Sequence, residues 1–115
     1  MQQFVSSCDC VCDVQSDRER VVVRLAGELD VASASAVGAA LEELLDAGFG
    51  RVVVDLSALS FLDSAGIHTL LSAQRSAEEH RCTLSVVPGP RNVHRVFELT
   101  GTDSLFAYED AEVRT

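Results

Sequence analysis

The run Arg51-Val-Val-Val-Asp-Leu-Ser-Ala-Leu-Ser-Phe-Leu-Asp63-Ser64-Ala-Gly-Ile67 joins an apolar strand to an amphipathic helix, and it constrains the fold more than any other stretch. Val52, Val53 and Val54 follow one another without a polar break, the pattern of a central strand covered on at least one face. Beyond Asp63-Ser64 the pattern changes period. Ile67, Leu70, Leu71 and Ala77 fall on one helical stripe, while His68, Thr69, Ser72, Arg75 and Glu79 point to water.

Similar units flank this one. Residues 7–14 and 20–26 read as two strands joined through the polar turn Gln15-Ser-Asp-Arg-Glu19, a hairpin. Gly27-Glu28-Leu29-Asp30 is expected to break the second strand, with Asp30 or Ser33 capping a helix. That helix carries Ala34, Val37, Leu41, Leu44 and Leu45 at steps of three and four and ends at Gly48. Cys82 to Val87 forms another strand, with Cys82, Leu84 and Val86 alternating against Thr83 and Ser85. Pro88-Gly89-Pro90 turns the chain into a third helix that buries Val93, Val96 and Phe97, with Leu99 as a further candidate, and stops at Gly101. Leu105 to Tyr108 supplies a short edge strand. The fold class that follows is α/β: a mixed, mainly parallel β-sheet of about five strands, with helices packed on it through right-handed crossovers. A chain of 115 residues suffices for a single domain, with residues 1–6 expected to form a flexible tail.

Charge and residue usage narrow the function. Eighteen acids face nine arginines and no lysine, a formal charge of −9, so nucleic acid is not an expected partner and a basic protein surface is. No apolar run approaches the roughly 20 residues of a membrane span. Met1 to Ser7 has neither the basic flank nor the apolar core of a secretory signal, so a cytoplasmic location without membrane attachment is expected. Cys8, Cys10 and Cys12 alternate with Asp9, Val11 and Asp13 on one strand face. Thiols two apart on a strand are roughly 6.5–7 Å apart, at the limit for a disulfide, and cannot converge as a tetrahedral zinc site requires. They and Cys82 read as small core hydrophobes; a redox role for the three-cysteine row stays open. His68, His80 and His94 share no ligand spacing and read as solvated surface residues, so no metal is expected.

No catalytic constellation appears. The chain lacks a phosphate-cradling Gly-x-x-x-x-Gly-Lys loop and Gly-x-Gly-x-x-Gly, so neither ATP binding nor another cofactor is expected. Ser64 lacks the Gly-x-Ser-x-Gly setting of a hydrolase nucleophile. The chain reads as a binder and a substrate rather than an enzyme. Ser64 opens a helix, where backbone N–H groups and the positive end of the macrodipole would accommodate a phosphate without disturbing the fold. The same residues also read as a plain helix cap.

Four segments in order carry a resemblance: Gly27-Glu-Leu-Asp30, Asp55-Leu-Ser, Phe61-Leu-Asp-Ser-Ala-Gly-Ile67 and Val93-His-Arg-Val-Phe-Glu-Leu-Thr-Gly101. Together they resemble the anti-sigma factor antagonists, the bacterial STAS-domain proteins, over about residues 10 to 110. The resemblance implies a partner-switching cycle. The unphosphorylated protein binds an anti-sigma factor that is a serine kinase and so releases a sigma factor. The kinase then phosphorylates the serine matching Ser64, and a metal-dependent serine phosphatase resets the cycle. By motif position Asp30 resembles an interface acid, with a helix cap as the other reading, and Asp63, Gly66 and Ile67 resemble the kinase-facing rim. Gly66 within a first helical turn also suggests close backbone approach, and Leu62 reads as core. Ala65 stands where some relatives carry a second hydroxyl, which leaves Ser64 as the acceptor. Two other roles suit the same resemblance: a scaffold subunit of a stress-sensing complex, and a non-regulatory partner of a membrane transport complex.

Overall fold

The computed structural model describes residues 2–5, 10–16 and 20–109, the first two segments by backbone alone. Ten elements follow in order: β1 (Gln2–Val5), β2 (Cys10–Ser16), β3 (Arg20–Leu29), α1 (Ala34–Asp46), β4 (Arg51–Leu62), α2 (Ser64–Glu79), β5 (Thr83–Val87), α3 (Arg91–Leu99), a 3-10 turn (Asp103–Leu105) and β6 (Ala107–Tyr108). The strands lie in one six-stranded sheet in sequence order. β1, β2 and β3 pair antiparallel, and β3 through β6 pair parallel. Each crossover steps to the next strand in the same direction, and right-handed crossovers of that kind put every helix on one face. Accordingly the buried residues of α1, α2 and α3 join those of the sheet in one cluster, including Val23, Leu25, Leu41, Val54, Leu70, Val93 and Phe97. A fully buried leucine in such a cluster contributes roughly 1.5–3 kcal/mol.

The sheet has one strand more than the expected five, because Gln2–Val5, expected as part of a tail, pairs with β2 in register Phe4 to Cys12. Cys8 and the turn residues 17–19 lie outside the described residues, while Gln15 and Ser16 belong to β2 rather than to the turn. Register places Cys12 opposite Leu25 and Val14 opposite Val23. β3 does not break at Gly27. It runs to Leu29 through register shifts at Arg24/Ala26 and Gly27/Glu28, and Gly27 takes φ +99°, a left-handed conformation that glycine adopts without a Cβ penalty. β4 likewise extends well past Val54, to Leu62.

α1 buries all five of its expected apolar positions and is followed by Gly48. In α2, Ala73 is buried and Leu71 only half-buried. Leu99 points outward at 74% exposure rather than joining the core, since α3 ends there and Phe106 fills the space against Phe97, ring to edge at 5.4 Å. The far face of the sheet carries a small buried cluster of Val22, Val53 and Val87. Ser85, expected outside, is buried on that face because its hydroxyl donates to Glu109. Burial alone would raise the Glu109 carboxyl. The Ser85 hydroxyl and the Arg51 guanidinium at 2.6 Å, with Arg20 at 3.6 Å, hold it below the usual range, so this carboxylate ties the chain after β6 to β3, β4 and β5.

α1 and α2 run parallel, bridged by Thr69 to Ala34 O at 3.4 Å, Ser76 to Glu42 at 2.8 Å and His80 to Asp46 at 2.8 Å. His80 is thus not simply solvated. Its Nδ1 lies 2.8 Å from Ser76 O and its Nε2 2.8 Å from Asp46 Oδ1. Both partners only accept, so the two contacts are satisfied together when the ring carries a proton on each nitrogen. The Ser76 carbonyl and then the Asp46 carboxylate raise its pKa above 6.5. A raised folded value means that the stabilisation is complete below pH 6.5 and is lost as pH rises through the folded value. The melting-temperature gap between wild type and His80→Gln is therefore expected to be present at about pH 5.5 and to close as pH rises through the folded value above 6.5; a gap independent of pH excludes the pairing. His94, also expected in solvent, is half-buried and stacked on Phe97, with ring centroids 5.6 Å apart.

Candidate functional site

β3 and β4 end together. Leu29 pairs with Leu62, and the Asp63 N–H donates to Leu29 O at 3.3 Å, so Asp30 and Asp63 are the first residues beyond two neighbouring strands roughly 4.8 Å apart. This end of the sheet is stiffened from two sides. The Ser60 hydroxyl donates to Gly27 O at 3.0 Å, and the Asn92 amide on α3 donates to Ser60 O at 2.9 Å, where β4 has outrun β5.

The N-cap of α2 is Asp63. Its backbone is extended (φ −122°, ψ −172°), and its Oδ1 accepts the Gly66 N–H at 3.1 Å. Ser64 therefore occupies the first helical position and does no capping. It is exposed, and its hydroxyl has no partner among the described residues. A carboxylate at this end also interacts favourably with the helix dipole. Asp63→Ala is expected to cost about 1 kcal/mol and Asp63→Ser only a few tenths. Thermal melts of the two variants check this, and equal losses would exclude the capping role.

Asp30 shapes the entry to α1 in a similar way. Its Oδ1 accepts the N–H groups of Ala32 at 2.9 Å and Ser33 at 3.3 Å, and its carbonyl accepts that of Ala34 at 2.8 Å. The buried Ser33 hydroxyl accepts the Asp30 N–H at 3.1 Å and donates to Glu28 O at 2.8 Å. Of the two capping candidates, Asp30 carries the turn and Ser33 locks it. In both acids Oδ1 is engaged, whereas Oδ2 has no bond among the described residues and is left to accept from a partner.

Gly66 and Ile67 are not surface residues. Ile67 is 4% exposed and belongs to the core. Gly66 is buried, and a Cβ there would lie 2.5 Å from Leu62 Cδ1 and 2.9 Å from both Leu29 Cγ and Leu29 O. Both lie beneath the rim that motif position implied, because the first turn of α2 presses directly onto the ends of β3 and β4. Leu62 is core, as read from the sequence. Asp55, from the same motif set, is buried on the far face of the sheet. Its Oδ1 accepts the Ser57 N–H at 2.9 Å, and Arg24 Nε lies 3.8 Å from Oδ2.

Sequence reasoning missed two apolar side chains at this end. Val31, directly after Asp30, is 79% exposed, and Phe61, two residues before Asp63, is 44% exposed. No periodic signal marked either one as exposed: Val31 lies three residues before Ala34, in step with the spacing of α1. Glu28, paired in register with Phe61, is exposed beside it. The site therefore combines acids, two exposed apolar side chains and a free hydroxyl around one strand end, with no cluster of metal-binding residues among those described. No helix of the structure is long and apolar enough to cross a membrane.

Residues 12–107 match the family model described as "Mlab, STAS domain". An anti-sigma F factor antagonist of Lysinibacillus sphaericus is 33% identical over 86 residues, covering 73% of each chain. Among solved structures, an anti-sigma factor antagonist from Mycobacterium paratuberculosis superposes with a TM-score of 0.79 at 28% identity, covering 90% of this chain and 89% of that one. The anti-sigma factor antagonist SpoIIAA in its unphosphorylated form gives 0.74 at 25% identity, covering 88% and 90%.

Proposed function

The chain belongs to the anti-sigma factor antagonist family of STAS domains, and on that footing we propose that it works as a binding module switched by phosphate at Ser64. Unphosphorylated, it binds an anti-sigma factor with serine kinase activity in the cytoplasm and thereby frees a sigma factor. That kinase phosphorylates Ser64, and a metal-dependent serine phosphatase removes the phosphate. The observation that carries this reading is the division of labour at the start of α2. Asp63 does the capping, so the Ser64 hydroxyl is exposed and uncommitted. That SpoIIAA, a relative of the same fold, has an unphosphorylated form supports a phosphate switch.

The chemistry suits a substrate that is also a ligand. The kinase takes the Ser64 proton and transfers the γ-phosphoryl group of ATP, and the chain itself contributes no catalytic group. The N–H groups of Ser64 and Ala65 have no intrahelical acceptor at this helix start, so they and the dipole ease the new charge. Asp30 and Asp63 offer their second carboxylate oxygens to basic groups of the partner, while Val31 and Phe61 supply the apolar contact. Gly66 and Ile67 act from beneath, by holding α2 in place.

Incubation with the cognate kinase and ATP, followed by phosphopeptide mass spectrometry, tests the reading. One phosphate per chain on Ser64, absent from Ser64→Ala, is expected. A stoichiometric label elsewhere, or one that persists in Ser64→Ala, refutes it.

A further inference from the structure

We infer that His68 is the positioning residue for the phosphate on Ser64, an inference that rests on the reading of Ser64 as the acceptor. Ser64 and His68 are both exposed on α2, one turn apart, and neither side chain has a partner among the described residues. Residues four apart on a helix are surface neighbours, with Cβ atoms roughly 6 Å apart. Helical side chains also lean toward the helix N-terminus, so the ring of His68 covers the turn that Ser64 begins. An imidazolium has donors on both nitrogens, and a phosphate offers only acceptors at that spacing. Ala65 and Gly66 carry no side-chain donor that could compete for the phosphate, and Ile67 is in the core.

The remaining charges differ from His68 in sign, in distance along α2 or in the element that carries them. Asp63 and Asp30 are acids and repel the phosphate. On α2 itself, Arg75 lies eleven residues from Ser64, roughly 16 Å along the axis and beyond the screening length of about 8–10 Å. Arg91 opens α3 at this same end of the sheet, where its neighbour Asn92 bonds Ser60 O, but it belongs to another helix and not to the turn that Ser64 and His68 share. The charged residues of α1, Glu42, Glu43 and Asp46, sit at its far end, alongside Ser76 and His80. His68 is thus the cation-forming side chain one turn from the acceptor. Paired, it draws the phosphate down along α2 and favours the dianion.

The test uses the full chain with phosphoserine installed at position 64 during synthesis, so that no kinase is involved. The reporter is the second ionisation of the phosphate, ordinarily near pH 6, followed by 31P NMR. In wild type its midpoint is expected to lie at least about half a pH unit below that of the His68→Ala protein. His68→Arg, which keeps a cation there, is expected to restore the low midpoint. The repulsion from Asp30 and Asp63 is common to all three proteins and cancels. A purely structural role for His68 leaves this ionisation unmoved. Identical midpoints in wild type and His68→Ala, or a failure of His68→Arg to restore the shift, overturn the pairing. Such a result leaves the assignment of the acceptor intact, because that assignment is decided separately by where the kinase places its label.

Discussion

Gly66→Ala is expected to destabilise the domain by about 1–3 kcal/mol, the usual cost of overpacking a filled core. For a chain of this size that corresponds to a fall in melting temperature of roughly 4–12 °C. The added methyl meets Leu62 Cδ1 at 2.5 Å, Leu29 Cγ at 2.9 Å and Leu29 O at 2.9 Å. The Leu62 methyl can turn away, but the Leu29 carbonyl belongs to β3 and accepts the Asp63 N–H. Relief therefore has to come from moving α2 off the strand ends. Alanine regains at most about 1 kcal/mol of helix propensity over glycine, which reduces the loss without reversing it. A thermal melt reads the result. If Gly66 were instead a contact residue on the rim, the variant would melt like the wild type and lose only affinity.

Phosphorylation of Ser64 is expected to do the reverse, leaving stability nearly unchanged and weakening partner binding by at least about tenfold. The phosphate adds about −1.5 to −2 charges at pH 7 next to Asp63, on the end of the sheet that also carries Asp30 and Glu28. Within the domain, the dipole of α2 offsets about 0.3–1 kcal/mol of that repulsion at an exposed position. Because Ser64 makes no side-chain bond among the described residues that its modification would break, the melting temperature should move by no more than a few degrees. At the interface the same charge must be desolvated against a surface fitted to a neutral hydroxyl. A loss of about 2.7 kcal/mol there already amounts to a hundredfold. On the proposed reading, the switch acts on the surface and spares the core.

How far the sequence reached depended on whether the signal was periodic. Val37, Leu41, Leu44 and Leu45 announce the inner face of α1, and the run Val52 to Val54 announces the middle of the sheet, because burial on one face imposes a repeat. The extents of β3 and β4 were not legible. Polar Ser57 and Ser60 interrupt the apolar pattern, and the shifts around Arg24 to Glu28 absorb the mismatch that makes Gly27 look like a strand end. At the candidate site, motif position marked Ser64 and the two acids, and the structure brings all three to one strand end. Which way Gly66 and Ile67 face could not be read from it, because that depends on how closely α2 approaches Leu29, a contact 37 residues away from Gly66 along the chain. Val31 and Phe61 escaped for the opposite reason: a lone apolar residue carries no period, and only the fold shows that it is left uncovered.

Calorimetric titration of the cognate anti-sigma factor with three forms of the chain tests the switch most directly: unphosphorylated, phosphorylated on Ser64, and Ser64→Ala. Tight binding is expected for the first and third, and binding at least about tenfold weaker for the second, with all three melting within a few degrees of one another. Equal affinities for the three forms, or a phosphorylated form that binds poorly because it has unfolded, would contradict a surface switch at Ser64.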